Sequence, residues 1–194
     1  MEAQALFQIL RDRFGDAIIQ LEQPDTDPII RITPESLDKV GVIVKSDGNF
    51  LCNYLTCITG VDIPPPAKKK GPKKKCEPGE EPAEDDGGDQ EVEPIYECAV
   101  LYHLYSTKNR NRITLKVQMP RDGAHVSTVT HLWKAAEWHE REVYDLLGIV
   151  FDGHPDLRRI LLPDDWEGYP LRKDYAVQEF YDVEGVPTRV PRGW

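Results

Sequence analysis

No apolar run in this chain approaches the ~18 residues that a membrane-crossing helix needs, so any membrane association is expected to come through partners. The opening Met-Glu-Ala-Gln carries no basic region followed by an apolar stretch, and no secretory signal is expected. Positive charge is also short. The net charge is -10, whereas nucleic-acid binders cluster Lys and Arg against phosphate. Cysteine is scarce: Cys52, Cys57, Cys76 and Cys98, with no C-x-x-C pair. The usual zinc and iron–sulfur ligand spacings therefore fail. Cys52, Cys57 and Cys98 lie in apolar segments and are expected in the core, in a reducing setting.

Catalytic motifs are missing too. There is no G-x-G-x-x-G, no P-loop and no G-x-S-x-G elbow. The only serines, Ser36, Ser46, Ser106 and Ser127, fall at element boundaries or turns, which leaves a hydrolytic triad little to build on. His139-Glu140 begins like the zinc motif H-E-x-x-H, but the second histidine position holds Val143. A metal-hydrolase reading would have to draw on His139, Glu140 and His154 instead.

What is present reads as an α+β protein: one compact domain at 1–150 with a mainly antiparallel sheet and flanking helices, then an extended irregular C-terminal arm at 151–194. The length of 194 residues suits one domain with an appendage. Leu6, Leu10 and Phe14 predict a helix over 2–14. Ala17–Leu21 and Ile29–Ile32 predict a hairpin around a Pro/Asp-rich turn. Thr33-Pro34-Glu35 opens a second helix with Leu37, Val40 and Val44 inside and Asp47-Gly48-Asn49 at its end. A helical turn and a strand ending near Asp62 follow.

Residues 64–94 start with three prolines, carry six lysines between Lys68 and Lys75, then turn acidic. Their low apolar content predicts a disordered insertion. The lysine block invites an anionic partner, and a solvated loop with mutually attracting halves is the plainer reading. Ile95–Ser106 predicts a central strand covered on both faces, and 113–119 a half-buried strand. Ser127 is expected to cap a short helix through Trp133, before a longer helix from about Ala135 to Leu147 that Gly148 ends. Beyond Gly148 periodicity is lost. Trp166, Tyr169, Tyr175 and many Arg and Asp suit an arm lying on another surface.

The helix carries Glu137, Glu140, Arg141, Glu142 and Asp145. An acid–base cluster, an exposed Glu137–Arg141 pair one turn apart, and an Arg141 buried with carboxylates at an interface between subunits all fit this spacing.

The stretch His131–Tyr175, HLWKAAEWHEREVYDLLGIVFDGHPDLRRILLPDDWEGYPLRKDY, resembles the 30 kDa subunit family of respiratory complex I, known in bacteria as the C subunit of NADH–quinone oxidoreductase. E-R-E-V-Y-D-L-L, G-H-P-D-L-R-R-I-L-L and P-L-R-K-D-Y carry the resemblance. The insertion is not part of that pattern. The resemblance implies a non-catalytic peripheral-arm subunit with no cofactor of its own. FMN and iron–sulfur clusters would sit in partner subunits. It implies packing on the 49 kDa-type partner (the D subunit), near the iron–sulfur B and I subunits, at the cytoplasmic face of the bacterial inner membrane. The assembly would pass electrons from NADH to quinone and pump protons. Structural and interface roles are implied for Glu140, Arg141, Glu142 and Asp145 on the helix, and for His154, Arg158, Arg159, Arg172, Lys173 and Asp174 on the arm. Related subunits of membrane-bound hydrogenase or formate hydrogenlyase-type complexes are the alternative.

Overall fold

The computed structural model describes residues 3–22, 28–65, 95–176, 180–183 and 186–189. Helix α1 (Ala3–Phe14) buries Leu6 and Leu10, one turn apart on its inner face. Strands β1 (Ile18–Glu22) and β2 (Ile29–Ile32) pair antiparallel as their apolar runs predict. The turn expected between them falls at 23–27, outside the described residues. Thr33 does not cap the next helix. Its hydroxyl donates to Ser36 Oγ, Pro34–Ser36 make one 3-10 turn, and α2 (Leu37–Ser46) begins a turn later than expected. Leu37, Val40 and Val44 form its buried face. A turn then leads into β3 (Tyr54–Ile63), as predicted. Most of the expected insertion, 66–94, lies outside the described residues.

Strands β4 (Glu97–Tyr105) and β5 (Arg112–Pro120) complete a five-stranded sheet of order β1-β2-β5-β4-β3. Within this sheet only β2 and β5 run parallel. A parallel pair cannot be joined by a tight turn, and here α2, β3 and β4 supply the crossover. Ile30, Ile32, Ile58, Val100, Tyr102 and Leu115 line one face and share a single core with α1, α2 and the later helix α3 (Ala136–Leu147).

Three expectations need correcting. Strand β4 is covered on one face, not two. Apart from small Ala99, its outward residues are half-buried, and the outer face carries cross-strand polar pairs, Lys116–Glu22, Gln118–Glu97 and His103–Thr114. Cys57 is half-buried, because the register slips between Leu55 and Cys57 and turns it from the core. Cys52 and Cys98 are buried, which pushes their thiols up to about 12 and about 11. Ser127 caps no helix. It ends strand β6 (His125–Ser127), which pairs parallel with β7 (Val150–Asp152), and the chain then turns through 128–135. The Thr128 N–H donates to Asp152 O at 2.9 Å, so strand pairing wins the residues a helix would need.

After β7, residues 153–176 form turns without helix or strand, and β8 (Phe180–Val183) and β9 (Val186–Arg189) make a separate hairpin. The arm, expected to be irregular, thus includes a hairpin.

Helix α3 lies so close over β3 that a Cβ on Gly60 would collide with Leu147 Cδ1 and Val143 Cγ1. Overpacking of this kind costs ~1–3 kcal/mol. Gly60→Ala is therefore expected to lower the urea-unfolding midpoint by that equivalent. An unchanged midpoint would mean α3 is free to lift from the sheet.

Candidate functional site

Five charged residues on one helix would ordinarily face water, yet α3 buries Glu140, Arg141 and Asp145. Each has its own task. Glu140 points into the core. Its Oε2 accepts the Thr128 hydroxyl at 2.5 Å and its Oε1 the Val129 N–H at 2.8 Å. It thereby fixes the turn that replaced the expected helix. Burial pushes its carboxyl up to about 7, against the pull of those two donors. The same burial, with the Glu140 charge added, holds the fully enclosed Tyr102 hydroxyl well above its usual range.

Asp145 and Arg141 hold the arm. Burial raises the Asp145 carboxyl, but its hydrogen bonds outweigh that and keep it below the ordinary value. Oδ2 accepts three consecutive backbone N–H groups, Ile160, Leu161 and Leu162, at 3.1, 2.7 and 2.9 Å. Oδ1 accepts Arg159 Nη1 at 2.9 Å, and Arg159 Nη2 donates to Trp166 O at 3.0 Å. Arg141 does the converse, donating Nε to Arg158 O and Nη2 to Arg159 O, at 3.2 and 3.1 Å. The Glu137–Arg141 surface pair does not form. The buried guanidinium spends its donors on carbonyls of its own arm and lies 5.2 Å from the Trp138 ring centre.

The P-L-R-K-D-Y segment is anchored twice more. Arg172 Nε donates to Leu147 O at 2.8 Å, at the open C-terminal end of α3, where a cation is favoured. Its guanidinium stacks 4.3 Å from the Tyr169 ring centre. That ring presses on Gly148, where a Cβ would sit 2.5 Å from it. The φ of +76° at Gly148 strains any larger residue as well. Asp174 takes a bidentate bond from Arg121, 2.9 Å on each arm, which holds its carboxyl below the usual range. Arg121 also lies 3.7 Å from Asp62, whose other oxygen accepts the Lys173 N–H at 2.8 Å.

The structure therefore joins Arg141, Asp145 and Arg159 in one cluster and Lys173 and Asp174 in another. Glu142 is exposed and joins neither. Arg158 contributes its carbonyl to the first cluster, while its side chain is exposed beside Asp156. His154 is occupied at both nitrogens: Nδ1 accepts the Asp156 N–H, so Nε2 carries the proton and donates to Glu137 O at 3.0 Å. With Glu140 turned inward, His139, Glu140 and His154 do not converge. Among the described residues no three His, Cys, Asp or Glu are grouped to hold a metal. Asp62, Arg121 and Thr128 were missed from sequence, and Tyr169, expected to anchor the arm on another surface, packs on this chain's own Gly148 and Arg172. Asp62 alone left a signal, as a carboxylate at an inward position of an apolar strand.

The model of one protein family, described as respiratory-chain NADH dehydrogenase, 30 Kd subunit, matches residues 30–181. The chain belongs to that family. Proteins named as the C subunit of NADH-quinone oxidoreductase share its sequence. The one from Geobacter metallireducens is 57% identical over 169 residues, covering 87% of this chain and 86% of its own. The one from Chlorobium phaeobacteroides is 35% identical over 188 residues, covering 96% of both. Among solved structures, the trypsin-resistant fragment (1–134) of Nqo5 is 27% identical with a TM-score of 0.53, over 78% of this chain and 98% of the fragment. A chain of an archaeal membrane-bound sulfane sulfur reductase shares the fold at 21% identity and TM-score 0.63, over 91% and 86%. Membership in the 30 kDa family is thus matched by its fold, and the charged signature that carries the resemblance is where the arm is tied down.

Two outcomes are expected. Glu140 titrates higher in the folded chain than in the unfolded one, so folding binds a proton between pH 4.5 and about 7. Stability should then fall as pH rises through that window, by ~3 kcal/mol, and level off above it. Glu140→Gln should flatten the dependence, read as urea midpoints from pH 4 to 8. Parallel profiles for both proteins would show that Glu140 does not set it. Asp145→Asn turns an amide toward either three N–H groups or a guanidinium, and breaking such a buried set costs ~3–5 kcal/mol. Trypsin should then cut at Arg158 and Arg159 far faster than in the parent. Equal cleavage rates would show that the arm is held by other means.

Proposed function

We propose that this chain is a non-catalytic peripheral-arm subunit of a proton-translocating NADH:quinone oxidoreductase. The observation that carries the reading is what its signature charges do. Arg141, Asp145, Arg159 and Arg172 end on the chain's own backbone, so the motif builds a shaped surface rather than a reaction centre. The relatives, named as the C subunit of NADH-quinone oxidoreductase, supply the machine. FMN and iron–sulfur clusters then belong to partner subunits.

The arm and α3 also present apolar side chains outward: Trp138, Leu161 and Leu171 are each more than half exposed. On a lone protein these would cost solubility, and at an interface they are the anchors. The partner in this reading is the 49 kDa-type D subunit, with the B and I subunits nearby. No described helix is long and apolar enough to cross a membrane. In this reading the chain reaches the cytoplasmic face of the inner membrane through the assembly.

The test is purification of the complex from membranes in mild detergent. This chain should migrate with NADH-dependent quinone reduction, and the isolated chain should oxidise no NADH. Leu161→Asp should release it from the complex while leaving its own unfolding midpoint unchanged. Co-migration with hydrogen or formate oxidation would instead identify a hydrogenase or formate hydrogenlyase-type complex, and a chain recovered free of any complex would sink the proposal.

A further inference from the structure

Strands β8 and β9 pair antiparallel, Val183 with Val186, Asp182 with Pro187, Tyr181 with Thr188 and Phe180 with Arg189. Together they are a sheet of two strands, and among the described residues no other strand joins them. A two-stranded hairpin is marginal in water, because its core is too small to offset ordering. In sequence it comes after the anchored arm, whose last described contacts include the Asp174 pair with Arg121 and the bond from the Tyr175 N–H to Arg172 O.

Its two edges are not equivalent. With two residues between them in sequence, Val183 and Val186 close the ladder as a hydrogen-bonded pair, and bonded and unbonded pairs then alternate. Asp182–Pro187 and Phe180–Arg189 are therefore unbonded pairs, whose backbone groups point away from the hairpin. Pro187 suits that place because it has no N–H to give. The consequence is an outer edge of β9 that lacks a donor in its middle, a common way of closing an edge to further pairing. The outer edge of β8 keeps its donors and acceptors at Phe180 and Asp182.

We infer that the hairpin docks by strand addition, with the β8 edge pairing to an exposed edge strand of the neighbouring subunit. This rests on the subunit reading above and specifies how the arm's end engages. A partner sheet with its own core supplies the packing that a two-stranded ribbon alone does not have. A second copy of this chain would offer only the same short ribbon, and four such strands would still have no core.

The experiment pairs two proline substitutions in the full chain. Asp182→Pro and Arg189→Pro each remove one outward N–H and no bond within the hairpin. Asp182→Ala and Arg189→Ala control for the side chains. Asp182→Pro is expected to weaken retention in the detergent-purified complex about ten-fold, as losing a backbone bond at a buried edge does. Arg189→Pro should be retained like the parent. Hydrogen exchange, read by fragmentation mass spectrometry, should show the Phe180 and Asp182 amides protected in the complex and unprotected in the free chain. Equal losses for the two prolines, or a loss with Asp182→Ala matching that of Asp182→Pro, would overturn strand addition at β8. So would an Asp182 amide exchanging as fast in the complex as in the free chain. Protection that grows with concentration of the free chain would assign the edge to a second copy and overturn it too. If the parent itself does not purify with a complex, the subunit reading fails instead. Normal circular dichroism and trypsin resistance of the rest of the chain confirm that Asp182→Pro folds.

Discussion

One carboxylate holds together what would otherwise be two pieces of chain. Asp145 takes three successive amide groups of the arm on a single oxygen and Arg159 on the other. Residues 153–176 have no helix or strand of their own, so their backbone donors and acceptors need partners from elsewhere. Side chains of α3 provide them: Asp145 for the amides, Arg141 for the carbonyls two residues earlier. Neither could be exchanged for an apolar residue of the same size, because the groups left behind are main-chain and cannot be mutated away. Gly148, Tyr169 and Arg172 depend on this arrangement, since the chain must leave α3 in the left-handed conformation to fold back along it.

The helices and the five strands of the main sheet were legible because they follow apolar periodicity, whereas β6 to β9 were not. Leu6 and Leu10, Leu37 with Val40 and Val44, and the alternation in Ile113–Met119 each read directly onto buried faces. Cys57 was misplaced because a one-residue slip in strand register reverses facing, and no local residue announces it. Ser127 was misplaced because its segment is decided by β7, more than twenty residues later, and by Glu140. Arg141 shows the harder limit. Its spacing from Glu137 fits a surface pair, and only the folded arm, lying over that side of the helix, turns the guanidinium to carbonyls. The signature residues were legible by resemblance, whereas the residues that receive them, Asp62 and Arg121 among them, come from other elements.

Fixing the arm by charge has a consequence for its outer surface. An arm packed by apolar contacts would bury its leucines and leave polar groups outside. Here hydrogen bonds and ion pairs do the inward holding, at Asp145, Arg172 and Asp174, and Leu161 and Leu171 are left facing out. Polar anchors within the chain and apolar side chains facing out divide the labour. The inward set fixes geometry, since hydrogen bonds are directional. The outward set is suited to association, since burying apolar area is favourable without demanding exact angles. A segment built this way is already ordered before a partner arrives, so association need not repay the entropy of fixing it. The same division explains how a signature so rich in Glu, Arg and Asp can hold the shape of a segment that has no helix or strand.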